Sequence, residues 1–280
     1  MSVGADATWV SASQIVGELG PVMGTTTQQQ LGAPSTSLRV VTYNIKDGGV
    51  DPLVIAAAFQ ADPNLALADV ILVQEAEAMP EEGTPRIERL AGALGMNWIY
   101  APARTEKTGT LGDAILSRYP IDNFAVMNLP LATLKRQRIA LAADVHVGTQ
   151  VIRVVATQLD TSLNIANRIR QLHPIVIDLP DTALVGGDFN TNPFAWQDGV
   201  VPLVGTSAVV DTDQAPMVDD YMSQQGFVNQ TAPLGITEIR LGVQSRLDAV
   251  YGRGLPILDG GVERDVTLSD HFPVWITLGI

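Results

Sequence analysis

In the stretch ALVGGDFNTNP, residues 183–193, an apolar run ends in two glycines and then delivers Asp188 and Asn190 with only Phe189 between them. A carboxylate placed beside an amide can orient a water, take its proton and offer a donor to an anionic oxygen. The pairing of an apolar run with a polar end recurs along the chain. Asn44 closes VVTYNI, Glu75 closes VILVQE, Gln158 and Asp160 follow RVVAT, Asp248 interrupts SRLDAVY, and Asp270 and His271 lie in LSDHFPVW. One such end is well explained as a turn cap or a local backbone bond. Six of them, each at the edge of an apolar strand, are not. Strand ends are where ligand sites collect in sheet proteins.

The residue types fit one chemistry. Glu75 and Asp270, with the amide oxygen of Asn44, make a hard oxygen set suited to Mg²⁺, for which Mn²⁺ is a substitute. The chain has no cysteine, so thiolate metal sites, disulfides and thiol nucleophiles are excluded. Asp188 would orient or deprotonate a water, and Asn190 would donate to a phosphoryl oxygen. His271 would offer a positive or hydrogen-bonding group at the same centre, with Asp248 fixing the imidazole from behind.

Elements must hold these residues in place, and the pattern predicts them. From Leu38 onward the chain shows apolar runs of strand length: LRVVTYNI, DVILVQE, NWIYAPA, AILSRYPI, RIALAADVHV, VIRVVATQL, ALVGGDF, RLDAVYG and PVWITLGI. Asp51-Pro52 caps a helix over LVIAAAFQ, RIERLAGALG ends on a C-terminal glycine, and NIANRIRQLHPIVI has helical spacing broken at Pro174. Strands joined partly by turns and partly by helices predict an α/β four-layer sandwich: two packed mixed sheets with helices outside. Residues 1–37 read as an N-terminal arm and linker, with TWVSASQIVGELG as a short amphipathic helix or packing arm and residues 24–37 as the linker. Residues 38–280 read as one domain without repeats.

Composition bounds the partners. The 280 residues are 46% hydrophobic and 17% charged, the profile of a soluble globular chain, with neither a transmembrane run nor a recognisable secretory signal. The balance of 17 Lys plus Arg against 30 Asp plus Glu, a net charge of −13, argues against tight binding of duplex nucleic acid through its backbone. No protein partner is evident.

The motifs TYNIK, VQE, GDAILSRYP, ATQLD, GGDFNTNP, RLDAVY and LSDHFPV, in this order and spacing, resemble the endonuclease/exonuclease/phosphatase superfamily with its DNase I-like fold. The resemblance covers residues 38–280. It implies Asn44 and Glu75 at the metal, Asp188 and Asn190 at the nucleophile and phosphate, Asp248 behind the histidine, and Asp270 and His271 closing the site. The implied activity is Mg²⁺-dependent hydrolysis of a phosphodiester or phosphomonoester by in-line attack of water. Substrates across the superfamily include nucleic acids, phospholipids and sugar phosphates, and the fold does not choose among them. The family pattern reads Thr-His-Leu where this chain reads ATQLD, with Gln158 in the histidine's place. That departure implies a slowed enzyme, or a catalytically impaired member that acts by binding.

Other polar residues receive plainer readings. His146 is expected on an exposed strand face, His173 at a helix end, and Tyr43 in the core. The basic run KRQR, residues 135–138, is expected to be a solvated face, and Arg104 and Lys107 to lie in a flexible polar loop.

Overall fold

Near-continuous burial along the central strands, as in Val70–Ala78, Gly109–Ser117 and Ala183–Asp188, is the pattern of sheets covered on both sides. The computed structural model describes residues 8–11, 22–24, 35–46, 49–130, 136–194, 196, 213–229, 232–240 and 242–280. Two short strands, β1 (Val10–Ser11) and β2 (Val22–Gly24), precede the main run. There follow β3 (Ser37–Asn44), α1 (Pro52–Ala61), β4 (Val70–Ala78), α2 (Arg86–Leu94), β5 (Asn97–Glu106), β6 (Gly109–Ser117), β7 (Ile121–Asn128), β8 (Ile139–Val147) and β9 (Gln150–Gln158). The second half carries α3 (Ile165–Val176), β10 (Ala183–Asp188), α4 (Gln214–Gln224), β11 (Val228–Asn229), β12 (Glu238–Arg240), β13 (Val243–Ser245), β14 (Asp248–Arg253), β15 (Ile257–Val262) and β16 (Val274–Gly279).

One seven-stranded sheet has the order β1-β7-β8-β9-β10-β14-β11, and the other β15-β16-β3-β4-β6-β5-β2. Both are mixed, since β3 runs parallel to β4 and β9 parallel to β10 while their other neighbours are antiparallel. Between the sheets lies one apolar layer, with Val40, Leu72 and Ile115 meeting Leu141, Val154 and Leu184. A second layer places Ile55 and Phe59 of α1 and Ile87 and Leu90 of α2 on the outer face of one sheet. The third places Leu172 and Ile175 of α3 and Val218 and Met222 of α4 on the outer face of the other. The architecture is the expected α/β four-layer sandwich.

The caps behave as read: Asp51 accepts from Leu53 N at 2.8 Å, and Gly95 ends α2 with φ 67°. Several local expectations are corrected. The helix α3 continues through Pro174, because the proline sits in its last turn, where one backbone bond is lost and buried Ile175 and Val176 hold the turn to the core. The run AILSRYPI is two strands in different sheets, since the chain crosses between sheets at Arg118–Pro120. ARTEKTGTLG is a β-hairpin rather than a loose loop, with Arg104 in β5 bonded to Glu106 and Lys107 at the turn with φ 52°. Val10–Ser11 and Val22–Gly24 extend the two sheets at their edges, so the first is a packing arm rather than a helix, and Gly24 ends a strand at the expected start of the linker. The rest of those two readings, residues 12–21 and 25–34, lies outside the described residues, as does Lys135 of the basic run.

Candidate active site

Register places three of the predicted residues in a row. Asp188, the last residue of β10, stands opposite Gln158 in the parallel ladder and opposite Asp248 in the antiparallel one. Paired residues share a face, so the three side chains stand together. The two glycines before Asp188 have a steric reason. A Cβ on Gly187, whose φ is 154°, would lie 1.8 Å from Thr157 O, and one on Gly186 would lie 2.6 Å from Leu72 Cδ1 of the facing sheet. The strand can approach both neighbours only without side chains at these positions.

The facing sheet supplies Asn44 at the end of β3 and Glu75 at a bulge in β4, where the register shifts between Val73 and Ala76. Lys46, Glu75 and Asn190 adopt left-handed backbone with φ of 51°, 58° and 51°. Such positions cost about 1–3 kcal/mol each and persist where the surroundings over-determine them. Here the fully buried Arg168 pins the loops after β9 and β10. It donates to the carbonyls of Asp160 (2.9 Å), Leu163 (2.9 Å) and Phe189 (2.8 Å) and to Gln214 Oε1 (3.0 Å).

Two primary amides bridge two carboxylates at the centre. Asn44 Nδ2 donates to Glu75 Oε1 at 3.3 Å and to Asp188 Oδ2 at 3.1 Å. Gln158 Nε2 donates to the same two oxygens at 2.7 and 3.1 Å. Asn190 donates from its backbone to Asp188 Oδ1 (2.9 Å) and from Nδ2 to Asp188 Oδ2 (3.1 Å) and Leu159 O (2.8 Å). Both amide hydrogens of Gln158 and of Asn190 are thus engaged within the protein. In this geometry the two residues hold the carboxylates, and neither has a side-chain donor left for a phosphoryl oxygen. Burial pushes Asp188 up to about 6. Burial also raises Glu75, but Gln158, Arg138 and Asn44 together outweigh it and hold that carboxyl below its ordinary range.

A second group adjoins the first. His271 Nδ1 lies 2.8 Å from Asp248 Oδ2, which also accepts from Thr237 Oγ1 at 2.7 Å. Burial works against a charge on the imidazole, yet the Asp248 carboxylate, with Asp188 and Glu238 nearby, pushes it up to about 10. The ring is a cation at neutral pH and a donor. Asp188, Asp248 and His271 each offer one ligand atom within 4.8 Å of the others. Without an ion, the Asp248–His271 contact is an ion pair, and the same three groups could hold a metal ion.

Asp270 joins the cluster through Lys46, whose Nζ is 2.9 Å from Asp270 Oδ2 and whose backbone N donates to Asn44 Oδ1 at 3.0 Å. Burial raises Asp270, but Lys46 and His271 outweigh it and hold the carboxyl low. Asn44, Glu75 and Asp270 carry hard oxygens of the kind a divalent cation takes, and Asp270 is here paired with the Lys46 ammonium.

Sequence reasoning missed three residues here, Arg138, Thr237 and Glu238. Arg138, read as part of a solvated basic face, is only 4% exposed and donates to Gln158 Oε1. Asp113 is buried beside it, and burial pushes its carboxyl up to about 8 against the pull of Arg138. Thr237 caps Asp248, and the buried Glu238 forms a backbone bridge to His271. Burial pushes Glu238 up to about 7, with His271 pulling the other way. The available signals were a cation directly before an apolar strand and a Thr-Glu pair shortly before SRLDAVY. The remaining plain readings agree with the structure: His146 pairs with Asp122 on the surface, His173 bonds Tyr221 near the end of α3, and Tyr43 is buried against Phe59.

Residues 41–271 match the profile of the Endonuclease/Exonuclease/phosphatase family. No curated protein sequence matches the chain. Among solved structures, an endonuclease/exonuclease/phosphatase from Beutenbergia cavernae DSM 12333 superposes with a TM-score of 0.68 at 19% identity, covering 88% of this chain and 72% of that one. D. rerio TDP2 complexed with single strand DNA product gives a TM-score of 0.59 at 13% identity over 88% of this chain and all of that one (100%). The endonuclease domain of TRAS1, a telomere-specific non-LTR retrotransposon, gives 0.55 at 16% identity over 87% and 98% of the two chains. At these identities the likeness shows the fold.

Proposed function

The chain belongs to the endonuclease/exonuclease/phosphatase family, and from that premise we propose that it is a divalent-metal-dependent phosphoesterase acting by in-line attack of water. The observation that carries the reading is Asp188: a buried carboxylate at a strand end, held by three amides, with an imidazolium next to it. A general base works best near the pH at which it titrates, and burial brings Asp188 to about 6. Asp188 accordingly orients the water and accepts its proton. His271, kept cationic and oriented by Asp248, donates to a phosphoryl oxygen as charge develops. Asn190 and Gln158 position Asp188. Mg²⁺, held by Asn44, Glu75 and Asp270, would polarise the phosphoryl group and stabilise the leaving oxygen. With its N–H groups held by Glu75 and Asp188, Gln158 gives no charged donor to a phosphoryl oxygen where the family pattern has histidine, and slow turnover follows from that loss.

Two of the solved relatives are named for DNA, as a complex with single strand DNA product and as an endonuclease domain. The substrate class proposed for this chain is broader, a phosphodiester or phosphomonoester. The test is a panel of single- and double-stranded DNA, RNA, phospholipids and sugar phosphates, each with and without Mg²⁺. Activity that appears only with the metal is expected. Glu75→Gln should weaken Mg²⁺ binding in calorimetry while hardly moving the thermal midpoint of the metal-free protein, because the amide oxygen still accepts from Asn44 and Gln158. An undiminished rate at limiting Mg²⁺ in that variant would place the metal elsewhere. Binding of a phosphoester without turnover on any substrate would favour the impaired, binding role instead.

A further inference from the structure

Gln158 sits between opposite charges. Its Nε2 faces the Glu75 and Asp188 carboxylates, and its Oε1 accepts from Arg138 Nη1. A glutamine amide can be turned over with little steric change, so its orientation is set by its partners. Turned over here, the oxygen would face two carboxylate oxygens and the NH₂ group would face a guanidinium. Arg138 therefore selects one orientation. It also polarises the amide, since a charge-assisted bond at the oxygen makes the N–H groups stronger donors. The guanidinium is in no position to serve a ligand directly: Arg138 is 4% exposed, and beside it lies a cavity of only about 10 Å³ lined by Asp113 and Gln158.

We propose that Arg138 is a positioning residue that fixes the Gln158 amide toward Glu75 and Asp188 and does not itself touch substrate. Residue 158 must then present an acceptor to Arg138 and donors to the carboxylates at once. An amide does both, whereas an imidazolium has two donors and no acceptor. The proposal rests on the phosphoesterase reading for its kinetic consequence but not for the pairing itself.

The test compares the full-length parent with Arg138→Met, Arg138→Lys, Gln158→Leu and their double variants on a chromogenic bis-phosphodiester with Mg²⁺. Arg138→Met should lower kcat about tenfold, less than the direct loss of a preorganised donor, and leave KM within about twofold. Arg138→Lys keeps one charged donor without the planar fork and should cost about threefold. In the Gln158→Leu background, where there is no amide to orient, neither substitution at 138 should change kcat further. A rise in KM that persists in that background would put Arg138 on the substrate and overturn the proposal, as would full additivity of the two losses. If Arg138→Met does not fold, Arg138→Lys makes the same comparison in both backgrounds. A readout independent of turnover is hydrogen exchange of the Gln158 side-chain NH₂ group by NMR, slow in the parent and faster in either Arg138 variant. A parent inactive on every phosphoester would defeat the phosphoesterase reading alone. The exchange measurement then decides the pairing, and equal exchange in parent and variants overturns it.

Discussion

Asp188 Oδ2 accepts from three amides, of Asn44, Gln158 and Asn190, and Oδ1 accepts from the Asn190 backbone. Asp188→Asn fills the space, cannot accept the water proton, and turns one acceptor into a donor that meets another N–H. The expected outcome is a fall in kcat of about 10²- to 10⁴-fold, the usual worth of a general base, with KM changed far less. Comparable losses in both parameters would make Asp188 a binding or structural residue. Asp113 gives a pH-dependent prediction. Burial raises its carboxyl from 3.8 to about 8, so between those values the folded state holds a proton that the unfolded state has released. Stability from this group is present at acid pH and is lost as pH rises through that window. Asp113→Asn should therefore gain thermal midpoint relative to the parent at pH 9 and show little difference at pH 4. Parallel curves for the two proteins would mean that Asp113 ionises normally. Asp188, Asn190, Asp248 and His271 were legible as single residues because each sits in a local motif. Arg138 was not, because its partner Gln158 is 20 residues away and only pairing of β8 with β9 brings them together.

Among the elements, β10 is the one whose sequence is most tightly dictated by its neighbours. Its glycines let it lie against Thr157 O of β9 and Leu72 of β4, and that approach sets where Asp188 and the left-handed Asn190 fall. Gly187→Ala should lower stability by about 2–3 kcal/mol or more, combining a clash with backbone strain, and should reduce activity in whatever fraction folds. Equilibrium denaturation midpoints check it, and a variant as stable as the parent would show that β10 has room to shift. The apolar run of β10 and the caps of α1 and α2 could be read locally. The end of β6 could not: AILSRYPI is apolar almost throughout, and only packing of the two sheets decides that Ser117 ends one strand and Ile121 begins another in the opposite sheet. Pro174 misled for the opposite reason. A proline in a last turn removes one bond, and the burial of Ile175 and Val176 outweighs it.

For the whole molecule, a net charge of −13 opposes the counterion-release term that drives duplex DNA binding. Several of the 17 basic residues are moreover engaged in the fold, as Arg168 and Arg138 are at the site. Long duplex DNA is expected to be a poorer substrate than small phosphoesters by about tenfold or more in kcat/KM, with a shallow salt dependence. Efficient plasmid cleavage at physiological salt would refute this. No helix among the described residues is long and apolar enough to cross a membrane. The sequence by itself determined the layered α/β architecture, through strand-length apolar runs alternating with capped helices, and it marked the polar strand ends because motif and strand coincide there. Only the tertiary structure decided which groups share a proton or a charge. The ladders of β9, β10 and β14 set Gln158, Asp188 and Asp248 in one row, and the facing sheet brought Asn44 and Glu75 to them. Burial then raised Asp188 and Asp113 while Asp248 charged His271, because ionisation depends on desolvation and on neighbours that lie far apart along the chain.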